Sequence, residues 1–352
     1  DAALPLVMAS SEITAMGGAA QGFASGAAGL SSTPVAPVLR RLRDTRSQST
    51  SFALSYLWAQ AEDGRSDLTN AGEAYADGKS ELLVNVGAGG RQDRVGVGLG
   101  MTGVQVWGEE TMARIADGRF AVAATSPDRQ LAAGVAARVM WVELSRDEQQ
   151  ERFMGLGAEA GLSFRPTGSS WQLGVSTRSP VTATAGNSGG FVIDTVQLPW
   201  QLSAGGGWSS AAARDRAASG LGVRVGADLV VYGRVDEGVS LAPLLDDVLV
   251  ERGRSVSYSP RLGGEVEVLP DRLRLRAGSY IEPSRTEGQP PRLHGTGGLE
   301  CWVIHLRLLW GLVDHDVSIQ SAFDLSERYR RVGWLGVSVW DAGKGTLAPL
   351  PE

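Results

Sequence analysis

The sequence predicts an all-β fold, a transmembrane antiparallel β-barrel of about fourteen strands closed around an N-terminal plug. Three observations lead there. Long stretches alternate apolar and polar residues with period two, as strands do when their two faces meet different surroundings. These stretches reach about ten residues or more and are joined by turn-forming segments, a length suited to crossing a bilayer with tilted strands. The 352 residues include 47 glycines and only 20% charged side chains, yet hold no apolar run long enough for a transmembrane helix. A net charge of −6 and a pI near 5.3 leave no basic stripe for nucleic-acid phosphates. A single cysteine, Cys301, provides no disulfide framework. The sequence opens at Asp1 without a basic and apolar leader, so an exported protein would have lost its signal peptide before this numbering begins.

Residues 1–46 lack strand alternation. They are rich in Gly and Ala, then contain Pro34 and Pro37, and end in the basic run RRLRDTR. Small residues allow close backbone approach, so the segment reads as a compact plug packed inside something larger. The barrel follows over 47–340. Its first strand, 48–60, alternates Phe52, Leu54, Tyr56 and Trp58, and a long acidic loop over 61–79 leads to the second, 80–89. The third, 93–107, sets Val95, Val97, Leu99 and Met101 against glycines and slips phase near Gly103, which predicts a kink. The fourth spans 118–126 and the fifth 130–143. A long hairpin over 153–181, turning at Pro166-Thr167-Gly168, gives the sixth and seventh. The eighth spans 194–208 and the ninth 218–233. After a loop containing LAPLLDDVL, a short-helix candidate, the tenth and eleventh turn through Pro270-Asp271. The last three span 294–307, 315–325 and 329–340, leaving 341–352 as a C-terminal tail.

The connections support this count. Long ones after strands one, three, seven, nine and eleven fall at one end, and tight turns after strands two, four, six and ten at the other. Trp58, Trp107, Trp141, Trp171, Trp208, Trp334 and Trp340 lie near strand ends, where interfacial aromatic residues belong.

On the polar parity, Arg138, Glu159, Arg165, Arg178, Arg224, Asp228, Glu265, Glu267, Arg272, Arg274 and Arg276 are predicted to line the lumen, because charges are expensive against lipid. They either brace the plug or meet a solute. His294, His305 and His315 lack the spacing of a helical zinc motif, so no metal site and no cofactor are predicted. Asp314, His315, Asp316 and Ser318 bring hydrolase side-chain types together, but no nucleophile elbow accompanies them, and no enzyme is predicted.

The run SSEITAMGGAAQGFASGAAGLSSTPVAPV resembles the plug opening of FadL-type outer-membrane transport proteins. Thr33-Pro34-Val35-Ala36 stands where that family has an Asn-Pro-Ala motif, and Met16, Gly17, Gly18, Phe23 and Pro34 become the plug residues. LSFRPTGSSWQLGVSTRSPV, LRLRAGSYIEPS and HGTGGLE are similar to the family's central hairpin and penultimate strands. The resemblance implies an outer-membrane channel for passive uptake of hydrophobic molecules such as long-chain fatty acids. Its expected partners are lipid or detergent and a hydrophobic small-molecule ligand, with no nucleic acid. It also implies a lateral exit at a kink in the third strand, which Gly103 would provide. The related PorV type implies instead a barrel that holds envelope protein partners for a secretion or cell-surface assembly.

Overall fold

The computed structural model describes residues 2–3, 10–40, 44, 47–59, 70, 80–108, 111–146, 149–186, 193–211, 221–236, 238–240, 244–245, 248, 250–308, 313–327 and 329–341. Of the expected tail over 341–352, Asp341 ends the last strand and 342–352 lie outside the described residues. A two-residue strand, β1 (Ala2–Ala3), precedes the barrel. The barrel strands begin with β2 (Gln48–Ala59), β3 (Ser80–Gln92), β4 (Val95–Trp107), β5 (Thr111–Thr125), β6 (Leu131–Arg146) and β7 (Gln149–Phe164). The next two staves are each interrupted: β8 (Trp171–Arg178) continues as β9 (Val181–Ala185), and β10 (Thr195–Leu198) continues as β11 (Gln201–Ser209). β12 (Gly222–Tyr232), a short β13 (Val239–Ser240), β14 (Ser257–Leu269), β15 (Leu273–Glu282), β16 (Arg292–Leu308), β17 (Val313–Ser326) and β18 (Tyr329–Asp341) follow. Neighbours pair antiparallel around the ring, and β18 pairs with β2. The result is a closed barrel of 14 antiparallel staves. β1 lies parallel between β10 and β13, on the edge that β10 would otherwise leave open.

Alternation has the physical cause the sequence implied. Leu99, Val135, Leu156 and Leu293 point outward and are 61–74% exposed, within an apolar belt that includes Phe52, Phe120, Leu229 and Leu262. A belt this continuous would be costly in water and is a lipid-facing surface. The alternating partners turn inward: Asn85, Arg119, Arg138, Glu159, Ser203 and Glu265 are buried. The turns after β3, β5, β7 and β14 gather at one end of the barrel with the start of β2, and the loops after β2, β9, β12 and β15 at the other. These are called the turn end and the loop end below.

Two expectations need correction. The fourth strand starts at Thr111 rather than 118, so the connection after the third is short. Its first half is hard to read because Ala113 and Ile115 point inward into an apolar interior, while Arg114 points outward. Trp340 is not part of an outer belt: it is buried, and its ring lies against Gly26 of the plug. The side chain of Trp334 lies outside the described residues.

The plug fills the middle of the barrel. α1 (Ser11–Ala15) is capped by Ser10, whose hydroxyl accepts from the Ile13 N–H. Gly17 and Gly18 have φ of 63° and 75°, a left-handed conformation that favours glycine. α2 (Gly26–Gly29) follows, and the segment from Ser10 to Val38 is almost wholly buried. Its small side chains let its backbone lie directly on inward-facing wall glycines. A Cβ at Gly174 would stand 2.6 Å from Gln21 O, one at Gly87 2.6 Å from Ala27 O, and one at Gly134 2.7 Å from Pro34 O. Wall hydroxyls reach the same backbone: Ser55 Oγ accepts from Ser11 N–H at 3.0 Å and Ser51 Oγ from Ala27 N–H at 2.9 Å.

Gly174→Val and Gly134→Val should therefore displace the plug, lowering stability by about 1–3 kcal/mol through overpacking. Limited proteolysis of the folded protein would show cleavage in 10–40 with the barrel intact. Gly295→Val, at a position with nothing within 4 Å of its Cβ, should leave proteolysis unchanged.

Candidate functional site

Three groups of inward side chains make the lumen. The first seats the plug. Asp117 on β5 accepts from Arg119 at 2.6 Å and from Arg138 of β6 at 2.9 Å, while Glu159 of β7 pairs with Arg178 of β8 at 3.2 Å. Arg119 and Arg178 donate onward to the carbonyls of Leu30 and Ser31 at 3.1 and 2.6 Å. On the far wall, Glu265 accepts from Arg276 at 2.8 Å and from Arg224 at 3.2 Å, and the Arg224 guanidinium lies 4.5 Å above the ring centre of Phe23. Arg276 also pairs with Glu300, which accepts from Ser318 and Gln320. Between the two sets, Asp228 of β12 accepts the N–H groups of Ala20 and Gln21 at 2.6 and 3.0 Å. Each buried carboxylate thus has cations or N–H donors, which is the condition for charge inside a protein.

The structure places Arg138, Glu159, Arg178, Asp228, Glu265, Glu267 and Arg276 inside the barrel and buried. Arg224 and Arg274 are partly buried beside them, Arg165 borders the turn end, and Arg272 sits in the β14–β15 turn, where its N–H bonds Leu269 O. Of the plug residues, Met16, Phe23 and Pro34 are buried against the wall. Asp117 and Arg119 were missed. Both share the inward parity of β5, and that parity was the available signal. Ser318 is buried on Glu300, whereas His315 bonds Thr50 Oγ1 on the outer face at 2.9 Å, so the hydrolase side-chain types do not converge.

The second and third groups divide the loop-end half of the lumen. Over β2 to β10 the inward side chains are mainly apolar: Leu57, Leu83, Val106, Ile115, Met140, Val142, Leu144, Phe153, Val181, Ala183, Val196 and Leu198 form one buried cluster, joined by Val239, Leu244 and Leu245 from the loop after β12, with the buried Glu81 and Glu151 on the same inward faces of β3 and β7. Much of the LAPLLDDVL run lies outside the described residues. Across the ring the wall is polar. His294 stands between Asp324, 2.7 Å from Nδ1, and Glu282, 3.0 Å from Nε2, while Arg292 donates to Glu282 at 2.6 Å and Tyr280 to Asp324 at 2.7 Å.

No bulge marks Gly103, the position of the expected third-strand kink. β4 pairs with β3 and β5 without a shift of register through Gly103. Hydrophobicity changes phase at that point because Val104 and Val106 enter the apolar cluster, while the backbone keeps its pleat. The wall breaks elsewhere. The β8–β11 ladder ends at Arg178↔Gln201 and the β9–β10 ladder resumes at Val181↔Leu198, so Ser179 stands opposite Trp200 and Pro180 opposite Pro199. Neither proline has an N–H to donate. The pleat inverts on both staves: Arg178 and Val181 both point inward, as do Leu198 and Ser203. Register holds across that break but shifts by one residue on the β7 side, with Ser179 N–H on Ala158 O and Ala158 N–H on Ser179 Oγ, both 2.9 Å. Val181 and Leu198, the first inward residues above the break, belong to the apolar cluster.

This architecture has known counterparts. A structure described as the CymD monoaromatic hydrocarbon channel superposes with a TM-score of 0.59 at 12% identity, covering 96% of this chain and 97% of that one. The P. putida toluene transporter TodX gives 0.58 at 12% identity, over 96% and 99%. A Pseudomonas aeruginosa FadL homologue gives 0.57 at 9%, over 95% and 97%. The chain has the FadL-type fold. No family model matches the sequence, and no curated protein matches it either, so what these comparisons show is a likeness of fold.

The buried charge sets should be sensitive to loss of one partner. Asp117→Ala leaves Arg119 and Arg138 unbalanced and should destabilise the protein by about 3–5 kcal/mol in reversible unfolding by guanidinium. Arg254→Ala, which removes an exposed pair with Glu251, should change stability by less than about 1 kcal/mol.

Proposed function

We propose that this protein is an outer-membrane channel for passive uptake of small hydrophobic molecules. Solute enters the apolar side of the loop-end lumen and leaves sideways through the wall at Pro180 and Pro199. The observation that carries this reading is the coincidence of two features. Inward apolar side chains are gathered over β2 to β10, and the paired break in the wall opens at the lower edge of that same cluster. A water-filled pore would line its lumen with polar groups. Here an apolar molecule arriving from the loop end meets mainly apolar side chains down to the level of the prolines, with Glu81 and Glu151 as the charged exceptions. Below them the plug and its charge sets close the barrel, so the straight route into the periplasm is sealed by buried, hydrogen-bonded backbone.

Support also comes from the fold, since two of the similar structures are described as a monoaromatic hydrocarbon channel and a toluene transporter. Such compounds are the first candidates for the solute. Long-chain fatty acids are a second class that the same apolar surface would accept, gaining about 0.8 kcal/mol for each buried methylene.

A reversible staple tests the route. In a Cys301→Ser background, Ser179→Cys with Trp200→Cys places one thiol on each side of the break. Oxidation should abolish accumulation of radiolabelled toluene and of oleate in cells bearing the variant, and reduction should restore it. Equal uptake by the oxidised and reduced forms would exclude exit between these strands.

A further inference from the structure

A cavity lies at the turn end of the barrel, beside the end of the plug. It has a volume of about 320 Å³, is open to solvent on one side, and is bordered by the end of the plug, the β3–β4 and β5–β6 turns and the β7–β8 turn. Its lining is divided by chemistry. Val38, Leu39 and Ala132 form an apolar floor continuous with the packed cluster around Val35 and Ala123. Four guanidiniums, those of Arg40, Arg91, Arg129 and Arg165, face it against two carboxylates, Asp93 and Asp128.

Most of the local acid capacity is already used. Asp93 pairs with Arg129 at 2.8 Å, and Asp44, just outside the cavity, pairs with Arg91 at 2.9 Å. Asp128 accepts from the Ser126 hydroxyl and the Gln130 N–H of its own turn. Arg40 is half-buried and has no hydrogen-bond or ion-pair partner among the described residues. Burial, and then Arg129, push its guanidinium below the usual arginine range, against the weaker pull of Asp44 and Asp93. A partly desolvated cation beside a second cation, over an apolar floor, is relieved by an anion that also carries an apolar body.

We propose that this cavity is a binding site for a small amphipathic carboxylate, with the carboxylate against Arg40 and its apolar part on Val38, Leu39 and Ala132. Arg165 borders the same space and adds positive potential. The site is separate from the loop-end route and does not depend on it. It faces the compartment into which the turn end opens, so its ligand arrives from that side.

Calorimetric titration of the purified protein in a neutral detergent tests this, using benzoate, benzyl alcohol and inorganic phosphate as probes. Benzoate should bind saturably, benzyl alcohol at least about tenfold more weakly for want of charge, and phosphate similarly weakly for want of an apolar contact. Arg40→Gln should weaken benzoate about tenfold, with Arg40→Lys between it and the parent protein. Because Arg40 holds no partner, neither variant should alter thermal stability. Benzoate binding that is absent, unchanged in Arg40→Gln, or matched by benzyl alcohol would overturn the assignment. Phosphate binding as tightly as benzoate would show a plain anion site and overturn the amphipathic one. Toluene accumulation by Arg40→Gln reports separately on the loop-end route, so failure of one reading is distinguishable from failure of the other.

Discussion

The structure depends on how a polypeptide backbone can be buried inside a barrel without losing its hydrogen bonds. The plug has little side-chain mass of its own, so its peptide groups face the wall directly. The wall answers them in two ways. Glycines at Gly87, Gly134 and Gly174 remove the Cβ that would collide with plug carbonyls. Charged and hydroxyl side chains supply the missing partners: Asp228 takes two N–H groups, and Arg119 and Arg178 each give to a carbonyl. Leaving such groups unpaired costs about 1–3 kcal/mol each, more where the group is charged. The abundance of glycine and the buried ion pairs are therefore two sides of one requirement.

Once the middle of the barrel is sealed, chemistry is left to its two ends. At the loop end the lumen is divided lengthwise, mainly apolar over β2 to β10 and polar around His294. The apolar half coincides with the staves whose ladders fail at Pro180 and Pro199. A closed barrel normally has no edges. Two facing prolines are one of the few ways to weaken the hydrogen-bonded seam between neighbouring strands locally while keeping both staves in place above and below it. At the turn end, the arginine-rich cavity under the plug has a different character.

Most of the barrel was legible because lipid outside and charge inside give every strand two contrasting faces. The limits had the same cause. Where the lumen itself is apolar, the contrast disappears, and alternation no longer tells inside from outside. Val104 and Val106 therefore look like a slip at Gly103, and the first half of β5, with Ala113 and Ile115 inward, does not look like a strand. The true irregularity left a fainter mark. Ser179-Pro180 and Pro199-Trp200 sit inside otherwise regular strands, and the inward set changes from Arg178 to Val181 across an odd interval. Register between the two strands is needed to see that the prolines face each other. The cluster of Tyr280, Glu282, Arg292, His294 and Asp324 spans three strands, and its members meet only through cross-strand pairing that no spacing along the chain reveals.

In the proposed route, the apolar side of the loop-end lumen, ending at the Pro180 and Pro199 break, receives a hydrophobic solute. Crystals soaked with bromobenzene test it most directly, because bromine can be located by its anomalous scattering. An anomalous peak should appear inside the barrel, against Phe153, Val181 and Leu198. Peaks confined to the outer apolar belt, or to the polar wall around His294, would contradict it.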